Sequence, residues 1–92
     1  MAYQSKKDVL ININKNCKGV YEMPRFCVNK NGQPTGEHEV HNLDANCGHL
    51  PDSSNQLQLG VFTSCHAAMT KARITYSNVD GCAYCCPDCH TK

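Results

Sequence analysis

The sequence predicts a small α+β domain: an antiparallel sheet of three to five short strands, one helix, and a cysteine knuckle at the C-terminal end. Three observations predict it. Short alternating segments punctuated by Gly, Pro and Asn run through the first two-thirds of the chain. One later segment carries apolar residues at helical spacing. The C-terminal end then gathers Cys82, Cys85, Cys86 and Cys89 as two back-to-back C-x-x-C pairs, with His90 directly after them.

The elements follow in order. Val9-Leu10-Ile11-Asn12-Ile13 is β-branched and reads as a strand, and Val20-Tyr21-Glu22-Met23 as a second, stopped by Pro24. Arg25 to Asn29 alternates, as does Glu37 to His41. The Gly/Pro-rich loop Asn31–Gly36 between them makes an antiparallel hairpin of the pair. Asn42 to Asn55 reads as loop, and Gln56 to Gly60 as a short strand. Thr63 or Ser64 caps a helix ending near Tyr76, since Cys65, Ala68, Met69, Ala72 and Tyr76 form one stripe. No internal repeat is present. The 92 residues form a single domain, 1–92, in which 1–24 is an N-terminal β-element added to a 25–92 module.

Composition narrows the function classes. The hydrophobic fraction of 40% includes eight cysteines, Trp is absent, and there are two Phe. Mean hydropathy is -0.52. The apolar core is therefore thin, and chains of this size often add a metal or disulfide staple. A net charge of +1 lacks the basic footprint of a committed nucleic-acid binder. Lys6, Lys7, Lys15 and Lys18 read as solvated surface charges. No segment is long and apolar enough to span a membrane, and Val9–Ile13 is too short for a signal-peptide core. A cytoplasmic location is expected, where cysteines favour metal over disulfides; the even count also suits four disulfides.

The candidate metal ligands are His41 and Cys47 upstream, and Cys82, Cys85, Cys86 and Cys89 downstream, with His90 beside them. A C-x-x-C turn points two thiolates at one place, and a structural zinc site takes four soft ligands from two separated segments. His41/Cys47 with Cys82/Cys85 fits that pattern, and Cys89 is an alternative to His41 as fourth ligand. Such a clip closes a loop of about thirty-five residues around the helix. Adjacent Cys85 and Cys86 do not both fit one site with both pairs. The surplus thiols are left to bind a second metal, to form a disulfide with Cys17, Cys27 or Cys65, or to stay free.

The segment from His41 and Cys47 through Asn55, Leu57, Gly60-Val61-Phe62 and the alanine-containing helix to Gly81-Cys82-x-x-Cys85 resembles the Ada-type metal-binding module. A closer resemblance is to small bacterial cysteine-rich proteins of unknown function. It rests on Val28-Asn29-Lys30-Asn31, Gly36–His41, Leu59-Gly60-x-Phe62 and Asp80–Thr91. The first resemblance implies His41, Cys47, Cys82 and Cys85 as zinc ligands. Ada modules repair methyl phosphotriesters by moving the methyl group to a zinc-bound cysteine. Here that position is His41, two residues further from Cys47 than the module's spacing, and an imidazole is no such acceptor. The module's basic residues around its C-x-x-C are replaced by Ala83-Tyr84 and Pro87-Asp88. The resemblance implies the fold and the zinc, without the transfer activity.

Other chemistry has weaker support. Cys65 sits at a helix N-terminus beside His66, but consecutive helical residues diverge by about 100°, and Cys65 belongs to the apolar stripe. A C-x-x-C redox site opens a helix after a strand, whereas both pairs here follow a helix. Catalytic zinc needs an open position and a base such as Glu37 or Glu39; Glu39 also suits the orienting of His41. Tyr76, Tyr84, Lys71, Arg73 and Lys92 offer a small aromatic-basic patch for nucleic acid. The reading is a non-enzymatic, zinc-stabilised binding module for a protein or small ligand. An Ada-like DNA contact is the first alternative, and a disulfide scaffold or thiol redox protein the second.

Overall fold

A computed structural model of the chain describes residues 23–92. The expected strand Val9–Ile13, Cys17, and all but Met23 of the second expected strand lie outside them. Within them the elements are β1 (Arg25–Asn29), β2 (His38–Asn42), β3 (Gln56–Val61), the helix α1 (Cys65–Ala72) and β4 (Val79–Gly81). Two short 3₁₀ turns complete the described elements, Ser53–Asn55 just before β3 and Pro87–Cys89 after β4. The four strands form one sheet in the order β3-β1-β2-β4.

The α+β class holds, but the sheet is mixed rather than antiparallel. β1 pairs antiparallel with β2, setting Cys27 opposite His41 and Val28 opposite Val40. It also pairs antiparallel with β3. β4 instead runs parallel to β2, with Glu39 opposite Asp80 and Val40 opposite Gly81. A parallel neighbour requires a long crossover, which the chain from Leu43 to Asn78 supplies. β4 is only Val79-Asp80-Gly81. A three-residue strand ending in Gly carries no alternation to read, so the sequence shows only the knuckle there.

β1 is central, and Phe26, Cys27 and Val28 are all buried. Phe26, Val28, Val40 and Leu59 form the sheet side of the core, and Ala68, Met69 and Ala72 the helix side. The β1–β3 register shifts between Phe26 and Cys27, where Leu59 is the extra residue. Gly60 follows it at φ 111°, a conformation that Gly adopts without a Cβ penalty.

α1 is shorter than the periodicity suggests. The Ser64 side chain accepts a hydrogen bond from the Ala67 N–H, which caps the first turn. Beyond Ala72 the chain continues in tight turns, with the Ile74 N–H to Lys71 and the Tyr76 N–H to Ala72. β-branched Ile74 and Thr75 favour helix weakly, which suits an α-helical end there. The apolar stripe still faces inward to Tyr76, which is half-buried and stacks on His38 at 3.8 Å between ring centres. Eight residues are too few for a free helix, so α1 depends on this packing.

Two local features fix the C-terminal segment. The first is Gly81, where an added Cβ would lie 2.7 Å from the Cys86 carbonyl oxygen and 2.7 Å from Cys89 Cβ. Only a residue without a side chain lets Cys86–Cys89 fold back onto β4. The second is buried Asp80, whose Oδ1 accepts from both the Thr91 N–H (2.9 Å) and the Thr91 hydroxyl (2.8 Å). Burial pushes the Asp80 carboxyl up, but the Thr91 hydrogen bonds and the nearby His90 outweigh it and hold it below the usual carboxylate range.

Gly81→Ala is expected to destabilise the fold by about 3 kcal/mol, the upper range for overpacking into a fixed backbone. Gly48→Ala, which meets nothing within 4 Å, should stay within about 1 kcal/mol of wild type. Urea unfolding of the two variants measures the contrast.

Candidate metal centre

Three segments meet at the C-terminal end of the parallel β2–β4 pair. β2 contributes His41, the loop after it Cys47, and the turn after β4 Cys82 and Cys85. Each offers a donor atom, and the four atoms lie within 4.8 Å of one another. Cys47 Sγ is 3.8 Å from Cys82 Sγ, and Cys85 Sγ is 3.5 Å from His41 Nδ1. This cluster could hold a metal ion.

Local backbone structure aims each sulfur. Asn46 has φ 57°, a left-handed conformation that Asn tolerates, and it turns the loop at Cys47. The Cys82 N–H donates to Val40 O, and the Cys86 N–H to Cys82 O, which closes the second turn. One backbone N–H then points at each sulfur. His49 donates to Cys47 Sγ (3.3 Å), Tyr84 to Cys82 Sγ (3.4 Å) and Asn42 to Cys85 Sγ (3.3 Å). N–H donors of this kind favour the thiolate, the form that binds metal.

At Cys85 the electrostatics of the protein alone oppose that form. Burial is the main cause that pushes the Cys85 thiol far up, and the neighbouring Cys47 and Cys82 add to it. Burial, and then His49, lowers His41 and keeps its imidazole neutral. A neutral imidazole has a free lone pair to offer a cation. His41 Nε2 is buried without a hydrogen bond, and Glu39 Oε1 stands 3.7 Å away on the same strand face. That separation is too long for a hydrogen bond but places a carboxylate beside the ring.

Two exposed rings stack beside the cysteines of the cluster. His49 and Tyr84 each follow a cysteine by two residues, and they stack at 4.0 Å between centres. The matching Cys47-Gly48-His49 and Cys82-Ala83-Tyr84 spacing could have revealed this pair. The Asp80–Thr91 contacts and the hydrogen bond from the Thr35 hydroxyl to buried Glu37 (2.6 Å) carry no comparable signal.

Of the six candidate ligands, the structure brings together His41, Cys47, Cys82 and Cys85. Cys86 instead turns into the core, and Cys89 forms a disulfide with Cys65. That bridge is one of the pairings open from the sequence, and it ties the final turn to α1. Cys27 and Cys86 are free and buried. Burial is the main cause that pushes both thiols up to about 11. Tyr76, one of the aromatic and basic residues considered for a nucleic-acid patch, stacks on His38. No helix among the described residues is long and apolar enough to cross a membrane. No family model, curated protein or solved structure matches the chain.

Cys27 and Cys86 should resist alkylation in the folded protein. At pH 8 a thiol titrating at about 11 is thiolate in roughly one molecule per thousand. Iodoacetamide labelling followed by peptide mass mapping should find both unmodified until denaturant is added.

Proposed function

We propose that the chain is a non-enzymatic binding module stabilised by one structural zinc ion, held by His41 Nδ1, Cys47, Cys82 and Cys85. One observation carries the reading. A tetrahedral zinc with ordinary Zn–S and Zn–N bonds sets its donors about 3.8 Å apart sulfur to sulfur and about 3.6 Å sulfur to nitrogen. Here one sulfur pair, Cys47 and Cys82, is 3.8 Å apart, one sulfur–nitrogen pair, Cys85 and His41, is 3.5 Å apart, and all four atoms lie within 4.8 Å of one another. Three sulfurs and one imidazole are a familiar structural zinc set, and they favour zinc over harder cations. The resemblance to the Ada-type module selects the same four residues.

The donor set supports a structural rather than a catalytic role for this zinc. Four protein ligands close a tetrahedral sphere and leave no position for water or substrate. The nearby carboxylates also have other engagements: Asp80 with Thr91, Glu37 with Thr35, and Glu39 beside the outer nitrogen of His41. With zinc held at Nδ1, Nε2 would carry the proton, and Glu39 Oε1, 3.7 Å away, would need only a small approach to accept it. A protein or small ligand is the partner we assign. Duplex DNA is the second reading, favoured by exposed Lys71 and Arg73 on and just after α1 but opposed by the net charge of +1. Phosphate contact would show as binding that weakens steeply with added salt.

Cobalt substitution tests the ligand set. The Co²⁺ form should show thiolate charge-transfer absorption together with the visible bands of a tetrahedral ion. Cys82→Ser should lose this metal and, with it, cooperative unfolding, because metal binding here is coupled to folding. An unchanged spectrum and melting curve in Cys82→Ser would reject the assignment. Glu39→Gln should keep the fold and weaken zinc binding by about tenfold, the lower range for loss of an orienting partner. Chelator competition measures this.

A further inference from the structure

A second group of donors lies at the start of α1. Cys65, His66 and Cys89 each offer an atom within 4.8 Å of the others. Cys65 is the first residue of α1 and Cys89 the last of the second 3₁₀ turn, and the two are joined as a disulfide. His66 is exposed. Divergence along the helix argues against its aiding Cys65, yet its ring nitrogen approaches both sulfurs.

Both cysteines are held by more than the bond between them. Cys65 packs against the core through the α1 stripe. Cys89 is buried, with its Cβ pressed against Gly81. The sulfurs therefore stay neighbours when the bond is broken. A cleft of about 190 Å³ opens beside Cys65, lined by Thr63, Ser64, Cys65, Pro87 and Asp88 and reaching Cys85 on its other side. It gives a small reductant a route to Cys65. Helix N-terminal N–H groups favour a thiolate there.

We propose that Cys65, His66 and Cys89 form a second, redox-gated zinc site, filled in the dithiol form and abolished in the disulfide form. A dithiol reductant passes two electrons and two protons to the Cys65–Cys89 bond and closes to its own disulfide. The S–S bond breaks and leaves two thiols. Zinc then displaces the two protons and forms two Zn–S bonds and one Zn–N bond to His66. Three protein ligands leave the fourth position to water or a small thiol, as in open zinc sites. The cluster around His41 is closed by four protein donors and contains no disulfide, so the two sites differ in exchange and in redox response.

The test counts bound zinc in two redox states of the full chain. One sample keeps the disulfide; the other is reduced with a dithiol and desalted without oxygen. The reduced chain should bind one equivalent more than the disulfide form. His66→Ala should weaken that added equivalent at least about tenfold while the disulfide form melts unchanged, and Cys65→Ser should abolish it. Equal zinc in the two states overturns the proposal, as does a His66→Ala chain that keeps the added equivalent at full affinity. Because the readout is a difference between redox states, it is separate from occupancy at His41. Exposed His66 keeps the test decisive if Cys65→Ser does not fold.

Discussion

Three sulfurs and an imidazole nitrogen converge where β2, the Cys47 loop and the Cys82–Cys85 turn meet, and the rest of the architecture is arranged around that convergence. Burial, with the neighbouring Cys47 and Cys82 adding to it, pushes the Cys85 thiol far up. A buried thiolate is tolerable only beside a positive charge. The backbone N–H groups of Asn42, His49 and Tyr84 supply part of that charge, and the zinc we propose supplies the rest. The clip bridges residues 35 positions apart in sequence. It thereby opposes the loop entropy of the crossover that carries β3 and α1.

The sheet makes the convergence possible. β4 has three residues and little to bury, yet its parallel pairing with β2 sets Cys82 beside the His41 end of that strand. Gly81 lets the tail double back, and Asp80 holds Thr91 in place. The Cys65–Cys89 bridge then fastens the same tail to α1. The helix is only eight residues long, and most of its buried side chains are alanine. A core this small gains from cross-links at each end of the final segment.

Much of the fold is legible in the sequence because its elements carry periodic signals. The Arg25–Asn29 and Gln56–Gly60 segments alternate, and the stripe from Cys65 to Tyr76 marks the helix face. β4 is illegible because pairing, rather than pattern, makes it a strand. The parallel topology depends on that pairing and is hidden for the same reason. At the site, C-x-x-C spacing identifies Cys82 and Cys85, but spacing alone does not rank Cys86 and Cys89. Three-dimensional packing separates them, sending Cys86 into the core and Cys89 to Cys65. The Asp80 contacts arise from tertiary approach and have no local signature, whereas the His49–Tyr84 stack is marked only by the matched spacing of the two rings after Cys47 and Cys82.

The most direct test of the zinc clip is the metal content of the full chain, isolated without added metal under conditions that keep the Cys65–Cys89 bridge. Thermal melting with and without a chelator completes the measurement. The account predicts one equivalent of zinc and a loss of cooperative melting once it is removed. A metal-free chain that melts at the same temperature with and without chelator would contradict it.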